Sequence, residues 1–383
     1  MPTLTPYLLT FPGGLHLGAQ GINLEEAAAH IPSDTLFAAL VDAWRRAGGD
    51  VDALTAPFVG DRADPPFLLT SAFPFCGEVR FYPMPVDLMR LVSAQTVRKR
   101  GKEIKGVRYL SEGLLRRALE GESLDAHLFP GAGDAEAGAG LCLQGGALWL
   151  SAEEAPLLAA GFRRAEGRRH ALRSLPVWAS ERTPRVTVDR VSASSTIYHA
   201  GRVRFAEGCG LWFGVAWRRP DDLLTSGGPT FRVACARALR VLQEDGLGGE
   251  RSAGYGAFTW REGATVTLPD PLPDRPAWLL SRYHPRADEL PEALAGEGAA
   301  YALTMIGGWV HSPDGGDQRR RRLLLVGEGS LIRATSAPAG DVVDVRPRYR
   351  HAAGDLPHPV YRYGLALAIQ SPAARSGKEG ARV

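Results

Sequence analysis

Five glycines fall among the eleven residues from Gly246 to Gly256, with Arg251, Ser252 and Tyr255 between them. Glycine has no β-carbon, so such a stretch reaches positive φ and lets a ligand approach the main chain. Bare N–H groups at Gly248, Gly249, Gly254 and Gly256 suit phosphate oxygens. Arg251 adds a planar charged fork for phosphate, and Tyr255 a flat face for a base. The stretch lacks the Gly-Lys-Ser/Thr ending of a Walker A loop. A dinucleotide fingerprint follows a strand and opens a helix; here the order is reversed. Pro229 to Asp245 reads as a helix, and Ala257-Phe258-Thr259-Trp260 reads as a strand. The plain alternative is a helix C-cap at Gly246 followed by a bulged strand entry.

Other residues fit the same chemistry. His16 and Gly18 lie in a flexible bend, Gly13-Gly14-Leu15-His16-Leu17-Gly18. His16 reads either as a turn histidine or as a ligand or base. Ser33 opens Ser33-Asp34-Thr35-Leu36-Phe37, where it is a plausible N-cap. The free N–H groups of that helix start could instead receive a phosphate. From Arg98 to Arg108, six positive charges face one negative charge, Lys102 and Lys105 among them. Near phosphate that density gives salt-dependent binding through counterion release; a solvated charged loop is the alternative. Arg190 ends the alternating strand Arg185-Val186-Thr187-Val188-Asp189-Arg190 on the apolar side, where it needs an acid or a phosphate to offset its desolvation. Arg319 to Arg322 form a further basic run, equally readable as a solvated hairpin tip.

These residues need elements to position them. Leu4 to Phe11 predicts a strand with Tyr7, Leu9 and Phe11 on one face. Leu36, Phe37, Leu40, Val41 and Trp44 form a helical stripe, ended by Gly48-Gly49. Leu211 to Trp217 is almost wholly apolar and predicts a buried strand, with Arg202 to Phe205 continuing the sheet. Residues 131 to 146 read as a mobile insertion. The order strand, helix, strands, helix, strand predicts a βαββαβ unit with long insertions. The proline-rich segment Leu268 to Asp274 marks a boundary, dividing the chain into residues 1–266 and 267–383. Strand-like stretches follow at 277–284, 301–310, 323–326 and 341–345.

With 383 residues the chain is long enough for two cores. A net charge of +3 does not by itself announce a nucleic-acid partner; clustering of the basic residues matters more. Four scattered cysteines offer no metal-ligand spacing and point to a reduced, cytoplasmic protein. No apolar run spans a bilayer, so no membrane partner is expected.

The helix, glycine loop and strand resemble the signature of the RAMP superfamily of CRISPR proteins. The segments Leu15-His16-Leu17-Gly18 and Ile31-Pro32-Ser33-Asp34-Thr35-Leu36-Phe37-Ala38-Ala39-Leu40 narrow the resemblance. They are similar to the opening of the Cas5-like subunit family of type III-A Csm complexes. Ser71-Ala72-Phe73-Pro74-Phe75, Tyr82-Pro83-Met84-Pro85, Val186 to Arg190, Glu328-Gly329-Ser330-Leu331 and His358-Pro359-Val360-Tyr361-Arg362-Tyr363-Gly364 add to it. The resemblance implies an α+β protein of two ferredoxin-like (RRM-like, RAMP) domains, with insertions and a glycine-rich loop. It implies a non-catalytic subunit that holds the 5′ tag of the crRNA and joins the large polymerase-like subunit to the backbone RAMP subunit, near the target RNA. No cofactor or metal is implied.

Single-stranded RNA with splayed bases is the ligand class that a shallow sheet, a glycine loop, aromatics and arginines can hold. Gly248 to Gly256 is expected to pack on the tag backbone, with His16, Gly18 and Ser33 on the neighbouring wall. Lys102 and Lys105 are expected near the tag or the first guide nucleotides. Two other classes compete. A metal-independent RAMP endoribonuclease would use His16 as acid or base, although no second histidine or lysine is evidently placed beside it. A pure protein adaptor would leave every basic stretch solvated.

Overall fold

The computed structural model describes residues 1–18, 29–60, 63–130, 138–164, 169–188, 195–273, 275–312, 315–333, 338–347 and 356–374. In chain order the first strands are β1 (Thr3–Thr10), β2 (Phe67–Leu69), β3 (Phe73–Cys76), β4 (Val79–Pro83), β5 (Tyr109–Ser111), β6 (Gly140–Leu143), β7 (Leu148–Ser151), β8 (Trp178–Val188), β9 (Ser195–Phe205), β10 (Cys209–Trp217), β11 (Thr259–Glu262) and β12 (Val266–Thr267). All except β8 and β9 join one sheet, ordered β11-β1-β10-β3-β4-β5-β7-β6, with β12 on β1 and β2 on β10.

The first four positions of that order follow from the predicted alternation of elements. β10 lies between β1 and β3, antiparallel to both, and β11 closes the other side of β1, also antiparallel. The helix Ser33–Arg46 links β1 to the β2–β3 region, and the helix Phe231–Asp245 links β10 to β11. The two helices pack on each other. Leu36, Phe37, Leu40 and Trp44 of the first meet Phe231, Ala234, Ala238 and Leu242 of the second in one core. Each of these leucine and phenylalanine side chains, taken wholly from water, contributes about 1.5–3 kcal/mol.

Strand β1 shows why the sheet is covered on both faces. Tyr7 and Leu9 point into the core under the helices, whereas Leu4 and Leu8 belong to a second core. On β10, Leu211, Phe213 and Val215 enter the first core, and Trp212 and Ala216 the second. The expected shallow open sheet is therefore absent over these strands. Ligand contact is left to loops and edges.

Two expectations are corrected, and one alternative is set aside. The 185–188 and 202–205 stretches do not extend the main sheet. They lie in a separate two-stranded hairpin, paired from Trp178↔Phe205 to Val188↔Ser195. Within 131–146, residues 140–143 are not a mobile insertion but β6, fully buried against β7; residues 131–137 lie outside the described part. The basic run is helical through Gly106 rather than a loop. Ser93 caps the helix Ala94–Gly106 by accepting from Thr96 N–H, and Ile104 anchors it in the core. The two buried positions Ile104 and Val107 supply too little apolar periodicity for the pattern to show in the sequence.

The remaining strands are β13 (Ala277–Leu279), β14 (Leu303–Ile306), β15 (Trp309–Ser312), β16 (Gly315–Arg319), β17 (Leu323–Val326), β18 (Leu331–Ile332), β19 (Val342–Asp344), β20 (Tyr361–Tyr363) and β21 (Ala368–Gln370). They form the sheet β18-β13-β21 and the ribbons β14–β17, β15–β16 and β19–β20. Trp278, Leu280, Leu331, Leu367 and Ile369 join the core of Trp212, and Tyr363 joins that of Phe37. Tyr363 also accepts from Leu69 N–H at 3.0 Å through its hydroxyl.

A polar network crosses the same junction. Pro32, not Ser33, is the N-cap of the first helix, and it offers no side-chain acceptor. Ser71 Oγ takes the Ser33 N–H at 2.9 Å and donates in turn to Glu328 Oε1. Ser33 Oγ accepts from Arg282 N–H, and Arg282 Nη1 donates to Asp34 Oδ1, both at 3.0 Å. Arg362 reaches the Asp34 carbonyl. Burial alone would raise the Glu328 carboxyl, but the Arg282 and His30 charges and the Ser71 hydroxyl hold it below the usual carboxylate range. Burial lowers the His30 imidazole.

Candidate nucleic-acid interface

The glycine loop is shaped by three contacts. The helix Phe231–Asp245 ends at Gly246, whose N–H donates to Leu242 O at 2.8 Å with φ at +82°, as the C-cap reading expected. Leu247 N–H then donates to Gly256 O at 2.9 Å, closing the loop on itself. Finally the loop docks on the histidine bend. Gly249 N–H donates to His16 O at 2.9 Å, and Gly256 N–H to Gly14 O at 2.8 Å. His16 and Gly248 form a parallel bridge. Glycine is required at two points of this docking. A β-carbon on Gly248 would stand 2.2 Å from His16 O, and one on Gly256 2.0 Å from Leu247 O, both at positive φ.

The tip of the loop is a single turn of 3-10 helix, Arg251–Ala253, entered through Glu250 in the left-handed region at φ +56°. The first amides of any helical turn lack partners. Among the described residues, those of Glu250, Arg251 and Ser252 have no acceptor in the chain. Arg251 and Ser252 are exposed. The Arg251 guanidinium has no partner among the described residues. Gly254 is also exposed, with open space around its α-carbon.

The bend is held from its other side by the hairpin. Leu15 and Val203 exchange two main-chain hydrogen bonds, each 2.8 Å. His16 is only 4 % exposed. Its Nδ1 hydrogen-bonds the Gly201 carbonyl, so the proton sits on Nδ1 in the neutral ring. Its opposite edge lies against Gly249. Gly18 is exposed at the end of the described bend.

Two arginines of β9 join this site, and the sequence reading had treated them only as sheet. The stems of Arg202 and Arg204 flank Gly14, each 3.5 Å from where its β-carbon would be. Arg202 pairs with Glu181 and lies over the Tyr255 ring, 5.5 Å from its centroid. Arg204 is exposed, with a longer contact of 3.5 Å to the same carboxylate. The signal was present: Arg202-Val203-Arg204 places two cations on one face of a strand, around an apolar anchor. Tyr255 is itself 5 % exposed. Its ring is a floor for Arg202 rather than an open platform.

The other candidates lie elsewhere. Ser33 is fully buried in the junction network described above. Lys102 and Lys105 are exposed on the helix leading into β5. In the sheet order β5 stands five strand spacings from β11, about 24 Å at the usual separation. Arg190 lies outside the described residues. The structure thus brings together His16, Gly18 and the 248–256 loop, and leaves Ser33, Lys102 and Lys105 apart.

Chemically, this is a basic rim with unpartnered amides beside a buried histidine. It can hold a phosphodiester strand. Among the described residues no cluster of histidine, cysteine and carboxylate could hold a metal ion. No helix among them is long and apolar enough to cross a membrane.

Comparison with known proteins gives three findings. Residues 274–371 match the family model described as the CRISPR Csm4 C-terminal domain. The chain is 26 % identical over 353 residues to the CRISPR system Cms protein Csm4 of Thermococcus onnurineus, covering 88 % of this chain and 90 % of that protein. It is similar in fold to a chain of the crystal structure of the Csm3-Csm4 subcomplex in the type III-A CRISPR-Cas interference complex. That match has a TM-score of 0.59 at 15 % identity, over 96 % of this chain and 99 % of the other.

Proposed function

We propose that the chain is a member of the Csm4 family and a non-catalytic, RNA-binding subunit of a type III-A CRISPR (Csm) effector complex. In this reading it holds the 5′ tag of the crRNA. It bridges the large polymerase-like subunit, of the Csm1 type, to the backbone subunit, of the Csm3 type. Residues 1–266 form a ferredoxin-like unit with insertions, in keeping with the β11-β1-β10-β3 order, and residues 267–383 a second, degenerate one.

The observation that carries the RNA grip is the locked junction of loop and bend. Its anchoring amides are already used on His16 and Gly14, so the loop is rigid before RNA arrives. The amides of Glu250, Arg251 and Ser252 remain for phosphate, with Arg251 and Arg204 on the rim. Gly248, Gly249, Gly254 and Gly256 set the backbone course, Ser252 adds a hydroxyl, and Tyr255 and His16 support the contact surface from beneath. Gly18 lies on the neighbouring wall; Lys102 and Lys105 meet the strand further along. Burial of His16 and its bond to Gly201 O count against a general acid–base role.

Filter binding of tag RNA to the intact chain tests this reading across a salt series. Arg251→Ala should weaken binding by about 1–3 kcal/mol, the range for a charged hydrogen bond removed. The slope of log K against log salt should become shallower by about one. Unchanged affinity and slope would make the loop a feature of the fold alone.

A further inference from the structure

One face of the ribbon β14–β17 carries three exposed apolar side chains, beside Val326, which is buried. Met305 stands directly opposite Leu324 in the antiparallel register, and Leu303 lies two residues along on the same face. Their exposures are 56 %, 49 % and 53 %. The reverse face is ordinary core: Leu325 is fully buried and Ile306 nearly so. Tyr301, just before the ribbon, and Trp309, just after β14, are also exposed. Isolated exposed leucines are common, but a contiguous cluster on one small ribbon marks an interaction surface.

The surroundings of this face are cationic. Arg319 lies over the Trp309 ring, 5.1 Å from its centroid. Arg320 bonds the Gly307 carbonyl, and Arg321 the carbonyls of Asp344 and Arg346. Among the described residues, no carboxylate meets Arg319, Arg320, Arg321 or Arg322. An aromatic ring and guanidinium groups alone would also suit RNA. Three adjacent aliphatic side chains do not, because they offer a base neither a stacking face nor a hydrogen bond. An apolar centre with a charged rim is instead the anatomy of a protein interface.

We propose that the Leu303, Met305 and Leu324 face docks a protein subunit whose contact strip is apolar at its centre and carboxylate-rich at its rim. Arg319 and Arg322 would meet that rim and set orientation and association rate. The proposal deepens the reading above and rests on it for taking the partner to be another subunit of the same particle.

The experiment co-expresses the full chain with the Csm1-type and Csm3-type subunits of its own organism and measures binding to each. Two variants are compared, Leu303→Ser/Met305→Ser/Leu324→Ser and Arg319→Glu/Arg322→Glu. Both are expected to weaken one and the same subunit by about tenfold or more. Binding of the other subunit and of tag RNA should stay within about twofold. If the charge reversal weakens RNA binding while the apolar variant leaves both subunits bound, the face belongs to RNA and the proposal falls. It falls too if wild-type chain forms a dimer that the apolar variant disperses. If wild-type chain binds its subunits and both variants do so equally well, only this inference is overturned. If wild-type chain binds neither subunit, the subunit reading fails with it. The second variant changes no buried side chain, so a folding defect in the first cannot decide the outcome.

Discussion

Gly248 lies against the carbonyl of His16, so close that a β-carbon would stand 2.2 Å from that oxygen. The contact joins two stretches more than two hundred residues apart and sets the distance between loop and bend. Gly248→Ala meets both this clash and an unfavourable φ of +88°. Denaturant unfolding should show a loss of about 2–4 kcal/mol, and tag RNA affinity should fall with it. Gly254→Ala is the control. Its φ is +84° but its surroundings are open, so it should cost only about 1–2 kcal/mol.

Lys102 and Lys105 are separated from the loop by most of the sheet. If both regions touch one RNA strand, their effects are independent. Filter binding of Lys102→Ala/Lys105→Ala, Arg251→Ala and the combined variant should then give losses that add within about 0.5 kcal/mol. The combined salt slope should fall by about three, one for each cation removed. A tag RNA too short to reach the second region should respond to Arg251→Ala alone.

Asp34 and Arg282 form a buried ion pair between the first helix and the segment after β13. The carboxylate is almost wholly enclosed, and Arg362 also approaches it. Asp34→Asn removes the charge that balances these two guanidinium groups. Chemical unfolding should show a loss of about 3–5 kcal/mol. Tag RNA binding by the folded fraction should stay near wild type, because Asp34 is remote from the solvent that RNA would occupy.

Acid should loosen the same junction. Burial lowers the His30 imidazole from its ordinary 6.5, and Glu328 is held below the ordinary 4.5. Both groups bind more protons unfolded than folded, so both contribute stability that is present at neutral pH and lost on acidification. Thermal unfolding between pH 8 and pH 3 (about the useful range) should show a decline below pH ~6.5 from His30 and a further one below pH ~4.5 from Glu328. His30→Gln should flatten the upper limb and shrink the lower one, because the His30 charge helps to hold the Glu328 carboxyl down.

Local pattern was enough for much of the architecture. The alternation of Tyr7 and Leu9, the stripe of Leu36, Phe37, Leu40 and Trp44, and the apolar run of β10 each lie within one element. Their burial follows from side-chain period alone. The glycine loop was legible for the same reason, since its conformation is set by which residues lack a β-carbon.

What the sequence could not decide was which distant segments share a surface. Ser33 sits at a helix start and could serve a phosphate there. Tertiary packing instead places it between Ser71 and Arg282, in a closed network. His16 and Tyr255 have the chemistry of a site, yet Gly201 and Arg202 cover them from a hairpin encoded far away. Arg202 and Arg204 read only as continuing the sheet, and emerge beside the loop because Leu15 pairs with Val203. Residue type and spacing determined the elements and the glycine-rich loop. Long-range pairing decided which cations reach it, because exposure belongs to the packed chain and not to any one stretch of it.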